Sequence, residues 1–277
     1  DAAYGLPYAS LPLFSEAPYT ISSVETSRSF FAQMNYQTEA LQDEKVREAI
    51  AMGIDKEGFT RVLLDGNGTA AAGPFPSSFA FGDDTVTAPA YDPDQARELL
   101  KEAGWTDTDG DGYVDKNGED LTIRWLTYPS RQELPLLAES VQSTLGDIGI
   151  KVEVNSTANH LDVLQRGDWD IYASAFVCAP TGDPEYFFTT HCLDSSTHNR
   201  GGYHSDRLEE LEAQMSTAFD VEERASLATE MTQTILDDNA FIFASHLRMS
   251  IVSGEDVTGL EAHPCDYYEI TADLDKN

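Results

Sequence analysis

Basic residues are scarce in this chain: 17 Lys and Arg stand against 49 Asp and Glu in 277 residues, a formal net charge of −32. Such a surface repels nucleic acid and anionic membranes, whose binding needs the opposite sign. It fits a solvated acidic exterior, an attraction for cations or a high-salt habitat. No apolar run approaches the roughly 20 residues that a membrane-spanning helix requires, so insertion by this chain is not expected. The opening DAAYGLPYASLPLF has neither a basic region nor an apolar core, which argues against a signal peptide within it. Cysteine is rare too. Cys178, Cys192 and Cys265 show no C-x-x-C spacing, which disfavours a structural zinc site and leaves either free thiols or a single disulfide, with Cys178 and Cys192 the nearer pair in sequence. Repeats and low-complexity segments are absent, and 41% hydrophobic content suffices for a sizeable core in one large domain or two.

What is present begins with YDPDQARELLKEAGW at 91–105. Asp92 is a good N-cap acceptor and Pro93 suits the first helical position. Ala96, Leu99, Leu100 and Ala103 fall on one buried stripe, and Gly104 supplies a left-handed stop. Next, DTDGDGYVD places Asp107, Asp109, Asp111, Tyr113 and Asp115 at positions one, three, five, seven and nine of a calcium-loop pattern, with Gly112 at the sharp turn. The twelfth position, where an EF-hand has a bidentate Glu, is Gly118, followed by Glu119 and Asp120. The loop 107–119 is therefore expected to hold structural Ca2+ in isolation rather than to act as a sensor. The competing expectation is an acidic, Gly-rich turn that stays solvated.

Along the chain, SFFAQMNYQ reads as a strand, DEKVREAIAMGID as a helix burying Val46, Ile50 and Ile54, and DKEGFTRVLLDG as a second helix stopped by Gly66. LTIRWLTY, a helix over 132–145, IKVEVN, a short helix over 158–166 and WDIYASAFV then alternate as strand, helix, strand, helix, strand. That order predicts a parallel, doubly wound sheet. In such sheets ligands bind beyond the carboxyl ends of the strands, which nominates Cys178, Ala179 and the residues through Asp183 as a pocket. SDRLEELEAQMSTAF and VEERASLATEMTQTILDDN read as amphipathic surface helices, and FIFASHLRMSIVS as a returning strand.

Taken in order, FFAQMNYQTEALQDEKVREAIAMGIDKEGF, YDPDQARELLKEAGW, LGDIGIKVEV, RGDWDIYASAF with its following GDP, and LDDNAFIFAS resemble the C-terminal half of the family 5 extracellular solute-binding proteins, the dipeptide, oligopeptide and nickel receptors of ABC importers. D-x-x-VR-x-AI-x-x-x-ID-K, at 43–56, is the sharpest of these phrases. The resemblance implies the second lobe of a two-lobed, type II periplasmic-binding-protein-like fold: α/β, with a mostly parallel sheet flanked by helices. Residues 1–30 would then connect from the first lobe, 31–250 form the ligand-binding lobe, and 251–277 pack on the first lobe, which is expected to be absent from this chain. It further implies an extracytoplasmic protein, periplasmic or a cell-surface lipoprotein. Such a protein would be monomeric in full-length form, binding a nickel chelate or short peptide and delivering it to permease subunits.

The expected ligand-binding residues are Asn35, Tyr36, Cys178, Ala179, Asp183, His198 and Tyr203. His191, His198 and His204 lie beside Cys192, and imidazole suits nickel, copper and zinc. The family's nickel receptors imply a loop histidine on the metal chelate, and His198 lies nearest that position. Asp183 either neutralises a peptide amino terminus or starts a turn. Tyr172, Tyr186 and Tyr203 are cleft or packing residues. His160, His246 and His263 show no partner pattern and receive no role. A rival class is a thiol or carboxylate hydrolase built on Cys178 and neighbouring acids. No nucleophile signature surrounds Cys178, and an acidic chain raises a thiol pKa.

Overall fold

The computed structural model describes residues 1–265, 267 and 270–277, so the C-terminal segment 251–277 is covered except at three positions. Seven strands form one sheet: β1 (Ala2–Tyr4), β2 (Tyr19–Met34), β3 (Gly68–Ala70), β4 (Thr122–Thr127), β5 (Lys151–Ser156), β6 (Ile171–Val177) and β7 (Phe241–Gly254). Their order is β1-β7-β2-β6-β4-β5, with β3 also on β7. The boundary expected at residue 30 falls inside β2, which runs on through 26–34 with every residue buried. Thr26, Ser27, Arg28 and Ser29 are buried yet polar, so this half of the strand lacks the apolar run that marks a strand buried on both faces.

The strand–helix–strand alternation is observed, with β4 parallel to both β5 and β6. Parallel pairing stops there: β2 is antiparallel to β6 and β7, and β7 to β1 and β3. Crossover helices impose parallel direction only on the strands they connect, and neither β2 nor β7 is joined that way to a neighbour in the sheet.

Helices cover both faces. On one side lie α1 (Glu44–Met52), α2 (Pro93–Glu102) and α3 (Glu133–Asp147), whose Ile50, Leu100 and Val141 share a core with Phe30, Ala32 and Met34 of β2. The N-cap of α2 forms as expected, Asp92 accepting from the Gln95 amide, and Gly104 adopts φ +87° beyond its end. Beyond β5 comes the short α4 (His160–Arg166). On the other face, α5 (Glu185–His191), α6 (Asp206–Met215) and α7 (Val221–Asp237) pack a second core around Phe31, Phe187, Phe188, Phe241 and Phe243. Fully burying such a side chain contributes about 1.5–3 kcal/mol.

Two local expectations are corrected. The segment 56–66 is one α-turn, Lys56–Gly58, running into a π-helical stretch, Phe59–Leu63. There Leu64 reaches back to the Phe59 carbonyl while Asp65 and Gly66 take positive φ. The stretch after β6, expected as loop, contains α5.

Candidate ligand-binding cleft

Side chains alternate across β6, so Tyr172, Ser174 and Phe176 share a face, and Gln33 of β2 lies opposite Tyr172 in the register. On this face opens a cleft of about 170 Å³, walled further by Tyr128, His160, His191, His198 and Arg200. None of the described lining residues is acidic.

His191 closes α5 and is only 3% exposed. Its ring stacks on Phe187 at 5.3 Å and meets Phe31 and Phe176 edge-on, while Nδ1 is 2.8 Å from the Thr190 hydroxyl. Burial, and then the neighbouring His198 and Arg200, push its pKa down to about 3, so the ring is neutral. His198 lies 5.1 Å from it, centroid to centroid, and its amide donates to the Thr190 carbonyl at 2.9 Å. Burial and Arg200 lower the His198 pKa as well. Across the cleft, His160 packs 4.4 Å from Tyr128 and stacks on Tyr172 within 13° of parallel. The Tyr128 hydroxyl accepts from the Ala175 amide at 3.1 Å, and the Arg200 amide donates to Gln33 Oε1 at 3.0 Å.

Of the residues expected to bind ligand, His198 lines this cleft and the others do not. Asn35 is spent on the backbone: Nδ2 donates to the Trp169 carbonyl at 3.0 Å and Oδ1 accepts from the Gln37 amide. Tyr36 packs against Tyr203 at 5.8 Å and under the Arg47 guanidinium at 4.9 Å, with burial pushing its hydroxyl up to about 12. Tyr203 donates to Asp238. Cys178 and Ala179 are fully buried in the second core, because the chain beyond β6 folds back as α5 over the strand end instead of leaving it open. Asp183 pairs with Arg224 at 2.7 Å. The loop after Ala179 borders a separate hollow of about 250 Å³ with His263 and Cys265.

The histidine trio divides. His191 and His198 are neighbours, whereas exposed His204 sits between Asp194 at 3.0 Å and Asp206 at 3.3 Å, and its hydrogen bond to Asp194 raises its pKa. His160, Tyr128, Gln33 and Arg200 were not singled out from the sequence, since a lone His opening a short helix carries no spacing signal. All three thiols are unbridged.

In the acidic loop, carboxylate oxygens of Asp107, Asp109 and Asp115 lie within 4.8 Å of one another, and Asp111 falls outside the group. Asp111 accepts from the Tyr113 amide, Asp107 from Gly110 and Gly112, and buried Asp115 from Thr108. The set is hard and anionic, which suits calcium better than a transition metal.

Neither nucleophile arrangement is open to substrate. Desolvation pushes the Cys178 thiol well above the ordinary range, the opposite of activation. Ser29 and Asp83 flank His246 at 2.8 and 2.9 Å, a serine–histidine–carboxylate chain, yet Ser29 and His246 are fully buried and Ser29 also donates to the Pro74 carbonyl.

The family model described as bacterial extracellular solute-binding proteins, family 5 Middle, matches residues 1–199. The chain is similar to the oligopeptide-binding protein AppA of Bacillus subtilis, 28% identical over 245 residues that cover 85% of this chain and 45% of that protein. It is also similar to the nickel-binding protein NikA of Staphylococcus aureus, 26% identical over 199 residues covering 72% of this chain and 38% of NikA. The crystal structure of that NikA in complex with Ni(L-His)2 superposes with a TM-score of 0.82 at 21% identity, over 99% of this chain and 57% of the NikA chain. The chain thus spans about half the length of the relatives it matches. Phrase order, the α/β sheet with helices on both faces and the family match agree, and this chain belongs to the bacterial extracellular solute-binding proteins of family 5.

Proposed function

We propose that this chain is the ligand-binding lobe of an ABC-importer receptor, capturing a nickel chelate or a short peptide outside the cytoplasm and delivering it to a membrane permease. The observation that carries this reading is the cleft on β6, where imidazoles, tyrosines and one arginine converge on one face of the sheet. AppA and NikA bind, by their names, an oligopeptide and nickel, and both are similar to this chain. Capture without chemistry accords with the burial of Cys178 and Ser29. No helix among the described residues is long and apolar enough to cross a membrane. Hinge closure against a first lobe, with 251–277 packed on that lobe, would be the working step. The loop 107–119 serves beside this as a structural calcium site.

Calorimetry on the whole native receptor, comparing nickel plus L-histidine with a pool of di- and oligopeptides, tests the proposal. Saturable binding of one ligand class supports it and selects the ligand; binding of neither would overturn it.

A further inference from the structure

We infer that the hollow bordered by Lys56, Glu57 and the short side chains of residues 70–72 and 88–90 is a second binding site, which takes a small aliphatic amino acid as its zwitterion. It shares no described lining residue with the cleft on β6 and does not rest on the receptor reading.

Size and wall set the bulk of the ligand. The hollow measures about 290 Å³, at the lower edge of the range for small-molecule pockets. Residues 70–72 and 88–90 are alanine throughout except for Pro89, and Ile54 completes the apolar lining. Side chains this short leave room for a compact apolar group, which gains by leaving water.

Charge sets its head group. The chain carries a net −32, yet the described lining of this hollow balances one formal cation, Lys56, against one formal anion, Glu57. A ligand bearing both signs meets a partner for each, whereas a bare anion or cation meets one opposing charge. The Lys56 ammonium has three donors, and among the described residues it gives one hydrogen bond, to the Ala71 carbonyl at 2.9 Å. Burial lowers the Lys56 pKa although Asp83 and Glu57 act the other way, so its charge is under-compensated where it stands. A ligand carboxylate on the two remaining donors supplies that compensation through charge-assisted bonds. Glu57, exposed and next in sequence, is the partner for the ligand ammonium.

The test is calorimetry on the whole receptor with L-valine, isovalerate, which lacks the ammonium, and isobutylamine, which lacks the carboxylate. Valine should bind saturably, and each half-ligand at least about tenfold more weakly, the scale of one charge-assisted contact. Glu57→Gln, at an exposed position, should weaken valine about tenfold at an unchanged melting temperature. Lys56→Met keeps the stem and removes the ammonium, and should weaken it at least as much. Ala90→Leu adds bulk to the wall while leaving both charges, and gives a reading independent of the Lys56 hydrogen bond; it too should weaken valine. Absence of saturable valine binding, or wild-type affinity in both Lys56→Met and Ala90→Leu, would overturn the site. Isovalerate or isobutylamine binding as tightly as valine, or wild-type affinity in Glu57→Gln, would overturn the zwitterion. Peptide and nickel–histidine affinities should stay at wild type in Glu57→Gln and Ala90→Leu. Valine displaced by either of those cargoes would place it in the cleft on β6 and overturn the second site while sparing the receptor reading.

Discussion

Asp183 and Arg224, 41 residues apart in sequence, meet in a two-point ion pair, Nη2 to Oδ1 at 2.7 Å and Nε to Oδ2 at 3.0 Å. Arg224 also binds Glu185 at 2.6 Å and donates to the carbonyls of Met215 and Ala218, tying α5, α6 and α7 together. Arg224→Met should cost about 2–3 kcal/mol in urea unfolding, the range for losing charge-assisted bonds, and Asp183→Asn less. Ligand affinity in Asp183→Asn should not change. A loss of peptide binding there at unaltered stability would restore Asp183 as a ligand anchor.

Asp170 is 3% exposed and accepts from the Arg124 amide, Nε and Nη2 and from the Thr38 hydroxyl, at 2.7–3.0 Å. Burial alone would raise its pKa; the bonds from Arg124 and Thr38 reverse that and leave it lowered. A depressed carboxyl stabilises the fold above its unfolded pKa, about 3.9 for Asp, and that stability is lost as pH falls through the folded value. Asp170→Asn should therefore cost about 2 kcal/mol at pH 7 and lose less stability than wild type on acidification. Parallel denaturation curves at pH 7 and pH 3 check both signs.

Glu212 behaves oppositely. Burial, and then the nearby Glu185, raise its carboxyl to about 7 despite Arg224, and its Oε2 is buried without a partner among the described residues. Its folded pKa lies above the unfolded value, so the fold binds the extra proton and loses stability as pH rises from about 4.5 to 7. Glu212→Gln should raise the melting temperature by about 2–4 °C at pH 8 and leave it unmoved at pH 4. An equal shift at both pH values would rule out ionisation as the cause.

Calcium at about 1–10 mM should raise the melting temperature through the loop 107–119, by mass action on the folded state. Asp109→Ala removes one of the three converging carboxylates and should abolish the rise. Identical melting with and without the ion would leave the loop as a solvated turn.

The parts of the fold legible in the sequence were those settled by near neighbours. Asp92 and Pro93 open α2 by local hydrogen bonding and fixed φ, and Gly104 closes it, whatever the rest of the chain does. Strand direction was not local: β2 pairs with β6 and β7 from far along the chain, and no crossover helix constrains it. The same distance effect governs the surroundings of the strand end. Cys178 and Ala179 follow a strand end and so read as a ligand site, but α5 folds over them. His198 could be named because the family resemblance pointed at its loop. Nothing adjacent to His160 or Arg200 marks either, since their company in the cleft is assembled by β6 and β2.

The His191 ring is a party wall: one neighbour is His198 in the cleft, another is Phe187 in the apolar interior. On the proposed receptor reading, substitutions in the phenylalanine cluster would retune which solute is admitted while the residues lining the cleft stay the same. Divergence of cargo would then begin inside the protein, beyond the reach of any comparison confined to the residues lining the cleft.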